Sequence, residues 1–355
     1  MKSHFTAIFL FYIDFCIIFA AKIAIDQDFD PGRKIMRLSD LILVCSKQEL
    51  ANIPEGKVLI NTINAHSYNV AQKDEVFAES LDPNWYENEN QNENETAYEN
   101  EDENQNEDEN EDENENGNQN QNEKRKYLIP DGASIVKACR WLKGKSQPKE
   151  RIAGWDLFAF EMRRVYENEN QNENEDSKAV RKQYADATKT KNGTAYENEN
   201  QNEKGKQKVM FMGSSEEVLE KIRQRAAEDY PNLEIVTYSP PFKAEFSDED
   251  NAAIVKAINE AKPDLLWIGM TAPKQEKWTW QHWNELNIHC HVGTIGAVFD
   301  FYAGTAQRAP LWWQKHSLEW LYRLVKEPKR MWRRYVIGNP LFLWNIIKER
   351  YGKKE

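Results

Sequence analysis

Short apolar runs alternate with stretches of helical spacing along most of the chain. Lys57–Asn61, Tyr127–Ile129, Arg151–Ala153, Lys208–Met212, Leu233–Tyr238, Leu265–Met270 and Cys290–Ile295 read as strands. Ala133–Leu142, Ser215–Asp229 (apolar Val218, Leu219, Ile222, Ala226) and Asp248–Ala261 (Ala252, Val255, Ile258) read as helices. Ser247, followed three residues later by Asp250, is an N-cap signature for the last of them. Strand–helix alternation predicts an α/β fold, a Rossmann-like, mostly parallel sheet flanked by helices. Ligands of such sheets bind beyond the carboxyl ends of the strands.

Candidate site residues follow from those strand ends. The first run ends in Asn61-Thr62-Ile63-Asn64 and the second in Pro130-Asp131-Gly132. Later runs end in Gly213-Ser214-Ser215, in Gly269 to Glu276, and in Gly293-Thr294-Ile295-Gly296 with Asp300 four residues on. Small residues entering a helix let backbone N–H groups approach a phosphate. Taken alone, Gly213-Ser214-Ser215 reads as a turn with a helix cap before it reads as a phosphate cradle, and Asp131 reads also as a turn or N-cap residue. Neither GxGxxG nor GxxxxGK[ST] occurs, which disfavours a dinucleotide-dependent oxidoreductase and a P-loop protein. His289 and His291 share a strand face near His282, but nothing completes a set of metal ligands around them. Asp28-Phe29-Asp30 and Asp248-Glu249-Asp250 match a metal–nucleotide DxD in form only and read as solvated.

Charge changes the picture. The 355 residues carry a net charge of -12, and mean hydropathy is -0.84. Yet 16 acidic residues lie in 86–123, five in 166–176 and three in 196–203. Without those 24, the remaining 35 acids face 47 bases, so the rest of the chain is basic. The acidic tracts repeat YENENQNENE from Tyr86 and from Tyr166, and almost pure Glu/Asn/Gln cannot bury enough apolar surface to order itself. They are expected to be disordered insertions, at 86–123 and 166–205, into loops of one α/β domain spanning 50–307. Cys16, Cys45, Cys139 and Cys290 show no CxxC spacing, the pattern of a reducing compartment. Within residues 1–49, Phe5 to Ala21 is apolar apart from Asp14. Two readings stand for it, a membrane anchor or leader ahead of a later start such as Met36.

Residues 308–355 form a basic, aromatic segment with 12 Lys/Arg against four Glu, and with Trp312, Trp313, Trp320, Trp332 and Trp344. Leu318, Leu321, Leu324 and Val325 have helical spacing, and Pro328 and Pro340 are expected to divide the remainder of the segment into short pieces. Arginine interleaved with Trp and Tyr suits an anionic membrane surface. No nucleic-acid module accompanies it, so membrane is favoured over nucleic acid.

Ordered blocks then narrow the reading. They are Asn61-Thr62-Ile63-Asn64-Ala65, Pro130-Asp131-Gly132-Ala133, Arg151-Ile152-Ala153-Gly154-Trp155-Asp156 and Ala272-Pro273-Lys274-Gln275-Glu276. Gly296-Ala297-Val298-Phe299-Asp300, Ala303-Gly304, Arg308-Ala309-Pro310, Leu318 to Leu324 and Glu327-Pro328-Lys329-Arg330 complete the series. This resembles the WecG/TagA/CpsF family of bacterial glycosyltransferases (glycosyltransferase family 26), from about residue 50 to about 345. The resemblance implies inverting, metal-independent transfer, without a cofactor, from a UDP-sugar to a polyprenyl-diphosphate-linked sugar. The donor implied is UDP-N-acetylmannosamine or its uronic acid, and the setting is cell-surface polysaccharide synthesis at the cytoplasmic face of the membrane. It also implies that Asp131 is the general base, that Thr62, Asn64 and Gln275 line its pocket, and that Asp300 contacts the nucleoside. The segment after Arg308 then corresponds to an appendage that meets the membrane and closes over the site.

The chemistry itself asks for one carboxylate to take the acceptor's proton and for cationic or N–H groups to hold a departing diphosphate. Asp131 suits the first role; Arg323, Arg330, Arg333 and Arg334 suit the second, or hold the lipid diphosphate instead, with the Gly213 loop as a further phosphate contact. A non-catalytic nucleotide-sugar-binding protein of the same fold is the alternative, and the oligomeric state stays open.

Overall fold

The computed structural model describes residues 35–83, 125–169 and 206–352. Its strands are β1 (Val58–Ile63), β2 (Arg125–Pro130), β3 (Lys208–Gly213), β4 (Glu234–Tyr238), β5 (Leu265–Gly269) and β6 (His291–Thr294). They form one six-stranded sheet in the order β2-β1-β6-β5-β3-β4, and every pairing is parallel.

Side chains alternate between two cores, as a pleated strand covered on both faces requires. Val58, Ile60, Val209, Phe211, Leu265 and Trp267 face one; Leu59, Met210, Met212, Leu266 and Ile268 face the other. Trp267 lies against β6 at Gly293, where a Cβ would come within 2.2 Å of its ring. That crossing tolerates only glycine.

Twelve helices flank the sheet among the described residues: α1 (Ala65–Ala71), α2 (Glu75–Leu81), α3 (Ala133–Leu142), α4 (154–169), α5 (Glu216–Asp229), α6 (Asp248–Ala261), α7 (Lys274–Gln281), α8 (Val298–Tyr302), α9 (Leu311–Lys315), α10 (Glu319–Lys326), α11 (Pro328–Trp332) and α12 (Gly338–Tyr351). The Ser247–Asp250 capping box is present at α6, and Ser215 caps α5 by accepting from the Val218 N–H. In α6 the buried positions are Ile254, Val255 and Ile258, whereas Ala252 faces solvent. Among the described residues no helix is long and apolar enough to cross a membrane.

Several expectations are corrected. Arg151–Ala153 is not a strand. Its Ile152 N–H makes one bond to Pro130 O (3.1 Å), and the chain then turns into α4, where the Asp156 carboxylate accepts from the Ala153 N–H (2.9 Å). The acidic insertion does not begin at Tyr166, because 166–169 continue α4. Tyr166 packs edge-on against Tyr230, and the Glu169 carboxylate accepts from the Gln207 N–H. Pro340 does not break the chain into pieces, since it sits inside α12. The preceding turn, Arg333–Ile337, widens to a π-helix in which the Gly338 N–H reaches Arg333 O, and this absorbs the donor that Pro340 lacks.

A third core links both ends of the described chain. Met36, Leu38, Leu41 and Leu43 pack with Tyr68, Phe77, Ile135, Phe342 and Ile346. Glu349 of α12 accepts from the Leu38 N–H (3.0 Å) and Ser39 N–H (2.7 Å) and from the Tyr68 hydroxyl (2.8 Å). Phe5–Ala21, Asp28–Asp30 and the tracts 86–123 and 170–205 lie outside the described residues.

Candidate active site

The carboxyl ends of β1 and β2 are tied together by the Asp131 N–H, which donates to Ile63 O at 2.8 Å. Asn64 caps α1, its side-chain oxygen accepting from the His66 and Ser67 N–H groups. That carbonyl therefore serves the helix first, while Thr62 stands half-buried two residues before it. Asp131 ends β2 with its carboxyl 3.4 Å from Arg151 Nε. Burial pushes this carboxyl above the usual range, Arg151 opposes the rise, Glu319 adds to it, and Arg323 and Arg334 oppose it. The side chain retains 28 % exposure, so it is desolvated yet reachable.

Arg151 turns its other end to Glu319, the first residue of α10, with Nη2 2.9 Å from the carboxylate. Arg323 Nη2 (3.3 Å) and Arg308 Nε (3.7 Å) converge on the same group. Burial alone would raise Glu319, but Arg151, Arg323 and Arg308 outweigh it and leave the carboxyl below its ordinary range. Arg334 is half-buried with no hydrogen-bond partner for its Nε. Desolvation lowers its pKa, with Asp131 among its charged neighbours. His66 is depressed to about 4 by burial first and then by Arg334. Four arginines thus gather around two carboxylates.

The other expected residues take different positions. Gln275 is buried and bridges two strand ends, its Oε1 accepting from the Met270 and Gly296 N–H groups at 3.1 Å each. Its Nε2 donates to Glu276 Oε1 (2.8 Å). Glu276 is 2 % exposed, its Oε2 has no partner, and burial pushes it to about 7. Gly213 has a positive φ of 119°, and a Cβ there would lie 2.4 Å from Gly269 O, so the β3 and β5 ends approach through two glycines. Asp300, on α8, is half-buried and raised by desolvation, with Thr305 opposing. Arg330 and Arg333 are exposed, the first paired with Glu327 (2.8 Å) and the second over the Trp332 ring. The structure thus gathers Arg323 and Arg334 around Asp131 and leaves Arg330 and Arg333 at the surface.

Arg151, Arg308, Glu319 and His66 were not singled out as site residues by the sequence. Three of them stand in the ordered blocks, but partners 168 positions apart, such as Arg151 and Glu319, leave no local signal. His291 is buried, with Nδ1 3.1 Å from Glu161 and Nε2 3.0 Å from Pro54 O. Among the described residues no three His, Cys, Asp or Glu are grouped to hold a metal.

A partly exposed carboxyl beside arginines at the carboxyl edge of a parallel sheet suits the chemistry of a group-transfer enzyme. The chain matches the model of the Glycosyl transferase WecG/TagA/CpsF family over residues 195–355, just under half of its length. It is similar to the N-acetylglucosaminyldiphosphoundecaprenol N-acetyl-beta-D-mannosaminyltransferase of Bacillus subtilis (strain 168), 26% identical over 228 residues, 64% of this chain and 71% of the relative. The Staphylococcus aureus (strain MW2) protein of the same name is 32% identical over 144 residues, 41% of this chain. The match spans 54% of that relative, about half its length.

Proposed function

We propose that this protein transfers an N-acetylhexosamine-type sugar, N-acetylmannosamine or its uronic acid, from a UDP-sugar to a polyprenyl-diphosphate-linked sugar, with inversion. The observation that carries this reading is the pairing of Asp131 with Arg151 among further arginines at the carboxyl edge of the sheet. The acceptor class rests on the names of the similar proteins, N-acetylmannosaminyltransferases for N-acetylglucosaminyldiphosphoundecaprenol. Asp131 takes the proton of the acceptor hydroxyl as that oxygen attacks the anomeric carbon. Arg151, Arg308, Arg323 and Arg334 meet the negative charge that develops on the departing UDP diphosphate. Gln275 keeps the β5 and β6 ends in register, and the Gly213 loop offers close backbone approach to phosphate.

Residues 50–307 are the catalytic unit on this reading, and 308–355 supply arginines to it. The exposed Leu311, Trp312, Val325 and Trp332, set among Lys and Arg, support peripheral attachment to the cytoplasmic face of an anionic membrane. The test is incubation with a panel of UDP-sugars and a lipid-diphosphate-N-acetylglucosamine acceptor, with and without EDTA. A lengthened lipid-linked product supports the reading. Tight UDP-sugar binding without product from any donor would favour the non-catalytic alternative.

A further inference from the structure

In α10, Glu319 is the only buried residue. Its apolar neighbours are not buried, and Val325 is 69% exposed. The helix is therefore joined to the site through a carboxylate more than through an apolar face. That carboxylate engages Arg151 and Arg323 and lies near Arg308. Arg151 belongs to the chain entering α4, whereas Arg308 and Arg323 flank the carboxylate within the carboxy-terminal segment. Guanidinium groups gathered this closely repel one another, and an anion set among them removes that cost. A carboxylate and a phosphate both offer paired oxygens that the planar guanidinium fork can meet bidentately.

We propose that Glu319 is an internal counter-anion, which holds the arginine cluster together and competes with a substrate diphosphate for the same guanidinium donors. This rests on reading the cluster as the diphosphate site. Diphosphate binding exchanges one anion for another, so part of its binding energy goes into displacing Glu319. After transfer, the returning carboxylate favours release of the nucleoside diphosphate. Glu319 is a positioning residue on this account, acting through Arg151, Arg308 and Arg323.

The experiment is calorimetric titration of the full chain with UDP and with inorganic pyrophosphate, in wild type, Glu319→Gln and Glu319→Ala, alongside thermal unfolding of each. A purely structural role predicts that both variants lose stability and affinity together. Competition predicts that they bind pyrophosphate more tightly even where they melt earlier. The expected gain is about tenfold, the size for one unit charge removed from roughly 6 Å away at an intermediate effective dielectric. The alanine variant covers the case in which the buried glutamine amide disturbs folding. Binding by wild type that both folded variants leave unchanged or weaken overturns the competition alone. Absence of pyrophosphate and UDP binding in wild type and variants overturns the diphosphate assignment, and the competition with it.

Discussion

Asp131 and Glu276 are both carboxyls that burial pushes upward, but they differ in their surroundings. Asp131 faces arginines and keeps a path to solvent; Glu276 meets the Gln275 amide and a backbone N–H, faces no arginine among the causes of its shift, and is enclosed. A base must be deprotonated to act, so the acid limb of the turnover profile should lie above the ordinary carboxylate range. Asp131→Asn should lower turnover at least about 100-fold while UDP binding, followed by calorimetry, survives. Near-normal turnover would remove Asp131 from the role. For Glu276 the folded value of about 7 exceeds the reference 4.5, so the native state holds its proton more tightly. The stability gained is fully present below pH 4.5 and is lost as pH rises through 7. Glu276→Gln, which stays neutral, should therefore melt later than wild type at pH 8 and alike near pH 4.5. The gap corresponds to at most about 3 kcal/mol, at roughly 1.4 kcal/mol per pH unit. Asp131 was legible as a strand-end carboxylate. Glu276 sat in a recognisable block, but its enclosure depends on strands far away in the chain.

Elements with their own local signals were read well. The apolar spacing of Ala133–Leu142 and the Ser247 cap of Asp248–Ala261 match the observed bounds of α3 and α6. Arg151–Ala153 misled because an isolated Ile152 between small or charged residues carries no period. The carboxy-terminal helices misled differently, since Pro340 is a strong stop signal and a π turn leaves no mark in the sequence. Phe342 and Ile346 of α12 lie in the core shared with α1 and α3. Phe342→Ala should therefore destabilise the α/β domain itself by about 3–5 kcal/mol in denaturant unfolding. It should also leave a single transition. A separate early transition, with the rest unaffected, would make α12 a detachable unit.

Over the whole molecule, charge is divided by position. β2 and β3 begin at Arg125 and Lys208, at the edge of the sheet opposite Asp131. Deleting 86–123 should leave transfer activity intact, because loop length costs folding little; lost activity in a folded variant would refute this. Binding to vesicles containing anionic lipid should follow the basic segment and weaken as salt rises, in a co-sedimentation assay. The net charge of the chain, -12, predicts the opposite behaviour and is the poorer guide. The Glu349 contacts with Leu38 and Ser39 have a further consequence. During synthesis Leu38 and Ser39 emerge from the ribosome well before α12. Leu38, Tyr68 and Ile135 must wait for Phe342 and Ile346, so this core closes only once α12 has been made. Premature termination inside α12 would leave an apolar face uncovered, a natural mark for quality control.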